Sequence, residues 1–120
     1  MLLLNPTSTT LLVIDLQEKL LPAIWERDRV VANVRKLLQL ARVLNLETVA
    51  TTQYSRGLGA TVAEIAELLV EPSIDKVCFG CFGDPAIIGR LHHKTLLVAG
   101  IESHICVMQT VVGALEAGCQ

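Results

Sequence analysis

The sequence predicts an α/β domain of three layers, with helices on both faces of a parallel, Rossmann-like sheet. Three observations carry this. Short continuous apolar runs alternate with helix-period segments four times along the chain. The core is aliphatic: 52% of residues are hydrophobic and only 3% aromatic, which suits strands buried on both faces. A length of 120 residues suits a single domain, 1–120, rather than two.

Each element has its own signal. Leu11 to Ile14 is an apolar run ending at Asp15 and is expected to be a buried strand. From Asp28 to about Leu44, Val30, Val34, Leu37, Leu38 and Ala41 recur at helical spacing. Glu47 to Thr51 is a second strand, followed by a loop from Thr52 to Ala60. Thr61 and Glu64 have the form of a capping box ahead of Ile65, Leu68 and Leu69. Asp75 to Phe79 is a third strand. Asp84-Pro85 is a cap followed by proline at the first helical position, opening a short helix through Leu91. Lys94 to Ala99 is the fourth strand. Ser103 is expected to cap a last helix, with Ile105, Met108, Val112 and Leu115 on one face and Gly118 ending it.

The chain stops after that helix, where a doubly wound sheet would add another strand. One sheet edge is then left raw, a liability that natural sheets cover. Either another chain covers it, as in a homo-oligomer, or the domain is shortened at its C-terminus. The mean hydropathy of +0.52, high for a complete domain, favours the second.

Charge and cysteine usage narrow the function classes. Ten Lys and Arg stand against twelve Asp and Glu, net −2, with no run of like charge. Nothing here suggests nucleic acid or a membrane surface as partner. The apolar runs are strand-sized, far below the ~20 residues that span a bilayer. Met1 to Leu4 lacks the basic region and cleavage site of a signal peptide. The four cysteines, Cys78, Cys81, Cys106 and Cys119, are expected to be reduced thiols of a cytoplasmic protein.

In open α/β sheets, ligands bind beyond the carboxyl ends of the strands. That rule selects Asp15, the Thr52–Tyr54 segment, Lys76 and the stretch from Gly100 to Cys106. An acid, an amine and a thiol would therefore share one rim. Cys106 in the first turn of a helix, near Lys76, is expected to have a lowered thiol pKa. Asp15 can take the thiol proton and return it to a leaving group, and backbone N–H groups at that turn can hold an oxyanion. Against this stands a bland alternative, since buried cysteines often serve only as small hydrophobes.

Three segments resemble the isochorismatase-like cysteine hydrolases: Leu11-Leu-Val-Ile-Asp15-Leu-Gln17, Asp75-Lys76-Val-Cys-Phe-Gly-Cys-Phe82 and Val98-Ala-Gly-Ile-Glu-Ser-His-Ile-Cys106-Val. They occur in family order. The segment from Thr52 through Val62 is similar to the isochorismatase-domain-containing branch. The resemblance implies a triad of Asp15, Lys76 and Cys106. It also implies a cis peptide between Ile101 and Glu102, with the N–H groups of Glu102 and Cys106 as oxyanion hole. Gln17 and Tyr54 would join Glu102 at the substrate. The implied reaction is attack of a thiolate on an amide-like carbon of a small molecule. Relatives that cleave nicotinamide carry an aspartate and histidines after strand two that bind metal. This chain has Gln53-Tyr54-Ser55-Arg56 there, so no metal and no cofactor are expected. Family members normally continue for two more strands and helices, which agrees with a shortened chain.

Other signals are weaker. Cys78-Phe-Gly-Cys81 is a C-x-x-C that would suit a redox pair or half a zinc site, but no second pair matches it. Gly57-Leu-Gly59 lacks the third glycine of a dinucleotide fingerprint. His92 and His93 fall at the end of the sheet opposite the proposed site, and His104 is expected to point to solvent. The rival function class is a family member without catalysis, acting in binding or assembly.

Overall fold

The structure is a computed structural model that describes residues 3–93 and 95–120. Its centre is β1 (Thr9–Ile14), all six residues of which are buried. Strand β1 pairs in parallel with β2 (Glu47–Gln53) on one side and β4 (Thr95–Gly100) on the other. Strand β3 (Ile74–Lys76) extends the sheet beyond β2, giving the order β3-β2-β1-β4, all parallel. The strands begin and end within a few residues of expectation. The expected start of the fourth at Lys94 lies outside the described residues.

Side chains of β1 alternate between the two faces, as a period of two requires. Leu11 and Val13 pack with Val34, Leu38 and Ala41 of α1 (Arg27–Val43), and with Ile65. Leu12 and Ile14 pack on the other face with Val49, Cys81, Ile87 and Cys106. Two apolar layers thus sandwich the sheet, as the sequence predicts. Helix α1 ends at a left-handed Asn45 (φ 54°), past which the Leu46 N–H returns to the Ala41 carbonyl at 2.8 Å.

The loop after β2 contains one turn of helix, α2 (Ser55–Leu58), and α3 (Ala63–Ala66) follows. The expected capping box at Thr61 does not form. Val62 is the cap residue of α3, while the Thr61 hydroxyl bonds the Ser73 hydroxyl at 2.7 Å. A cross-loop hydroxyl has outcompeted the local backbone. The Asp84-Pro85 signal holds: Asp84 Oδ1 accepts from the Ala86 N–H at 2.9 Å, opening α4 (Pro85–Ile88).

The last helix departs from expectation in two ways. It opens with a π-helical turn, Ser103–Val107, whose cap residue is Glu102 with no side-chain cap bond, so Ser103 does not cap it. Helix α5 (Met108–Glu116) then buries Cys106, Thr110 and Ala114 at i, i+4, i+8. The expected inward stripe faces outward, with Met108, Val112 and Leu115 at 46%, 47% and 63% exposure. At about 100° per residue, the buried and exposed sets lie on opposite sides of the helix. Gly118 ends the helix as expected, with φ 82°. The chain then turns back along the sheet, where the Gln120 carbonyl accepts from the Leu96 N–H of β4 at 2.8 Å.

Among the described residues, no helix is long and apolar enough to cross a membrane.

Candidate active site

The carboxyl ends of β1, β2 and β3 place Asp15, Gln53 and Lys76 together, and the turn after β4 adds Cys106. Asp15 leaves β1 in a left-handed conformation (φ 58°) and is wholly buried. One carboxylate oxygen, Oδ1, accepts from the Thr51 hydroxyl at 2.9 Å, and Oδ2 accepts from Lys76 Nζ at 2.8 Å. The Lys76 ammonium is equally sealed from solvent and donates also to Gln53 Oε1 at 2.9 Å. A buried ion pair persists only when its remaining donors and acceptors are matched, and here each charge has a second, neutral partner.

Cys106 is 2% exposed and lies within electrostatic reach of both Asp15 and Lys76. Burial, then the neighbouring Asp15 carboxylate, push its thiol up to about 12, while the Lys76 charge pulls the other way. This overturns the expectation of a lowered thiol pKa. The residue is buried within a five-residue π turn rather than on an open helix N-terminus, and the influence of the carboxylate outweighs that of the ammonium. The site therefore holds Cys106 as a thiol, not a preformed thiolate.

The turn carrying Cys106 differs from the implied one. All described peptide bonds are trans, including Ile101–Glu102. Reversal is achieved instead by a left-handed Glu102 (φ 63°, ψ 57°), whose carbonyl accepts the Ile105 and Val107 N–H groups at 3.0 and 3.2 Å. The Glu102 carboxylate stands 3.5 Å from His104 Nε2, and His104 is exposed, as expected. A cavity of about 250 Å³ lies against this turn, lined by Ile24, Val30 and the segment from Gly100 to His104. A larger groove of about 490 Å³ runs beside β3 past Thr61, Ser73 and Asp75, and its lining includes none of Asp15, Lys76 and Cys106.

Gln17 and Tyr54, expected at the substrate, stand on the same rim. Gln17 is buried, and its amide is fully engaged. Oε1 accepts the Gln53 N–H at 2.7 Å, and Nε2 donates to the carbonyls of Gln53 and Gly59 at 3.0 and 2.8 Å. Tyr54 is half exposed, and its N–H donates to the Lys76 carbonyl at 2.8 Å. Its ring lies over Gly57, where a Cβ would come within 2.8 Å of it.

Two residues of the cluster, Thr51 and Thr110, were not singled out from the sequence. Thr51 and Gln53 alternate on the same face of β2, a parity visible once Asp15 and Lys76 are placed. Thr110 is four residues beyond Cys106. Its hydroxyl donates to the Cys106 carbonyl at 2.7 Å and accepts the Cys81 N–H at 3.0 Å. Cys81 is itself buried beside the cluster, and burial raises its thiol too. Cys78 and Cys81 are both free thiols. His92 and His93 lie 3.8 and 3.5 Å from the Glu47 carboxylate at the start of β2, at the opposite end of the sheet from Asp15. Among the described residues, no group of three or more His, Cys, Asp and Glu side chains is placed to hold a metal.

Comparison with known proteins gives a concordant picture. Residues 9–120 match the family model of the isochorismatase domain. Mouse isochorismatase domain-containing protein 2A is 34% identical over 119 residues, covering 96% of this chain and 56% of that protein. Among solved structures, the MAR1 ribonuclease of Caenorhabditis elegans superposes with a TM-score of 0.91 at 38% identity, over 98% of this chain and 62% of the other. YcaC from Pseudomonas aeruginosa, solved with hexane-2,5-diol and covalent acrylamide, gives 0.89 at 27% identity, with 98% and 62% covered. Escherichia coli YcaC, described as an octameric hydrolase of unknown specificity, gives 0.90 at 26% identity, with 98% and 61% covered. The chain thus spans somewhat over half the length of these proteins. Because the matched span takes in all four strands and every member of the buried Asp15–Lys76–Cys106 cluster, the chain belongs to the isochorismatase domain family.

Proposed function

We propose that this domain is a cysteine hydrolase acting on a small amide-like substrate, with Cys106 as nucleophile, Asp15 as proton carrier and Lys76 as the fixed counter-charge. The observation that carries the reading is the position of the Asp15 carboxylate. It is ion-paired to Lys76 and acts on the Cys106 thiol, with all three buried.

The chemistry follows from that arrangement. As sulfur attacks the carbonyl carbon, the thiol proton passes to Asp15, and the thiolate charge develops beside Lys76. The S–C bond forms and the carbonyl π pair moves to oxygen, next to the backbone of the Glu102–Cys106 turn. Asp15 returns its proton to the nitrogen, the C–N bond breaks and an amine leaves. Water then cleaves the thioester with Asp15 again as base, releasing the acid and restoring the thiol. No cofactor or metal enters this scheme. The covalent acrylamide in the Pseudomonas relative supports the nucleophile part of the scheme, because acrylamide takes up nucleophiles at its vinyl carbon, with its amide left intact. Four free thiols favour a reducing compartment such as the cytoplasm. The octameric relative favours a homo-oligomer.

Acrylamide is also the probe. Exposure at neutral pH followed by peptide mass mapping should place the adduct on Cys106 ahead of Cys78 and Cys119. Asp15→Asn should slow it at least about 100-fold, the usual scale for loss of a general base. Equal labelling of the three thiols, or an unaffected Asp15→Asn variant, would refute the reading.

A second reading has one observation in its favour. The outward stripe of Met108, Val112 and Leu115 is the kind of surface that an assembly protein uses. A monodisperse oligomer that forms no Cys106 adduct would favour that reading.

A further inference from the structure

Gln53 is not needed to write the reaction, yet every polar group it has is committed to the cluster. It stands directly across from Lys76 in the β2–β3 register. Its side-chain Nε2 donates to the Val77 carbonyl at 2.9 Å. A carbonyl can take only a donor, so this bond fixes the amide orientation and turns Oε1 toward Lys76, which it meets at 2.9 Å. The backbone of Gln53 is held just as firmly. The register of β1 with β2 ends at Ile14 opposite Thr51, so Gln53 has no strand partner on that side. The Gln17 amide takes the place of the missing strand, pairing with both the N–H and the C=O of Gln53.

We infer that Gln53 is the positioning residue of the site, anchoring the Lys76 ammonium beside Asp15 through a neutral acceptor so that the lysine charge stays available to a thiolate at Cys106. The inference rests on the proposed role of Cys106. Its logic is one of charge. Lys76, Asp15 and the neutral Cys106 thiol sum to zero, and passing the thiol proton to Asp15 keeps the sum of the three at zero while the negative charge moves to sulfur. A carboxylate at position 53 would hold Lys76 equally well in space but would bring a negative charge to the lysine and oppose the thiolate. An apolar residue would add no charge but would leave Lys76 one acceptor short. The other ionisable groups that act on this cluster are Cys81 from the turn before α4, Glu102 from the π turn and, by charge from the opposite face of β3, Asp75.

Two variants and two readouts test this in the intact chain. Hydrogen exchange of the Lys76 ammonium, followed by nitrogen-detected NMR, reports its anchoring and needs no catalysis. The pH profile of acrylamide addition to Cys106 reports the charge. Gln53→Met should speed ammonium exchange about tenfold and slow addition about tenfold, the scale of one lost hydrogen bond to a charge. Gln53→Glu, which keeps the shape and serves if the methionine variant does not fold, should leave exchange slow yet move the Cys106 profile up by about one pH unit. Unchanged exchange in Gln53→Met, or an unmoved profile in Gln53→Glu, would overturn the inference. A wild-type protein that forms no Cys106 adduct would instead refute the nucleophile reading. The ammonium exchange would then still decide whether Gln53 anchors Lys76.

Discussion

Lys76 Nζ and Asp15 Oδ2 stand 2.8 Å apart with neither side chain reaching solvent. Such a pair contributes little net stability, because desolvation offsets attraction, but removing one partner strands the other charge in the interior. Lys76→Met and Asp15→Asn should therefore each cost about 3–5 kcal/mol in urea unfolding. The double variant should recover a good part of that loss. Single variants costing less than about 1 kcal/mol, the range of exposed pairs, would show that water reaches this pair in solution.

The Cys106 thiol, pushed up to about 12 by burial and by Asp15, makes stability depend on pH. In the unfolded chain the thiol ionises near its ordinary 9.0, whereas the folded chain keeps the proton longer. The contribution is thus fully present below pH 9 and is lost as pH rises from 9 toward 12. Cys81, also raised by burial, acts with the same sign. Urea midpoints taken between pH 7 and 11 should fall less steeply for Cys106→Ala than for the wild type. Parallel curves would mean that the thiol is not held protonated by the fold.

The layered fold was legible because it rests on patterns that one residue carries by itself. Leu11 to Ile14 is a continuous apolar run because β1 is central and covered on both faces. Asp15, Lys76 and Cys106 were legible because the ends of parallel strands converge on one rim. What was hidden depends on competition between partners. Thr61 has the local form of a cap, but a hydroxyl twelve residues away claims it. The face that the last helix buries carries Cys106, Thr110 and Ala114, a set that no strong apolar period announces. The charge state of Cys106 depends on which neighbour touches it, and the sequence gives both an acid and an amine without their distances. Gln17 was assigned to the substrate from its motif, and its pairing with the Gln53 backbone emerges only once β1 is seen to end before Gln53.

Thr110 ties the Cys106 turn to the loop before α4. Its hydroxyl serves the Cys106 carbonyl and the Cys81 N–H at once, and it is wholly buried. Thr110→Val keeps the shape but leaves the Cys81 N–H without its partner, at a cost of about 1–3 kcal/mol. Thr110→Ser keeps the hydroxyl and should cost less. Addition of acrylamide to Cys106 should slow in the valine variant and be largely restored in the serine one. If serine and valine behave alike, the methyl packing matters here and the hydroxyl does not.

Gly100 sets where that turn can begin. A Cβ on it would lie 2.5 Å from the Ile14 carbonyl oxygen and 2.7 Å from the Ile14 Cβ. Ile14 closes the central strand, and the Ile101 N–H donates to the same carbonyl at 3.2 Å, so the strand has no room to yield. Gly100→Ala must therefore push the turn outward, carrying Cys106 away from Asp15. Overpacking of this kind typically costs about 1–3 kcal/mol, and the backbone contact places this case at the upper end. Gly118→Ala is the matched control. That glycine is left-handed (φ 82°) with nothing within 4 Å of a Cβ, so only the backbone penalty of about 1–2 kcal/mol applies. Urea unfolding of both variants, with acrylamide labelling alongside, separates the effects. Gly100→Ala should lose stability and Cys106 labelling together, whereas Gly118→Ala should lose stability alone. Full labelling in Gly100→Ala would show that the turn tolerates displacement and that its contact with Ile14 does not position the thiol.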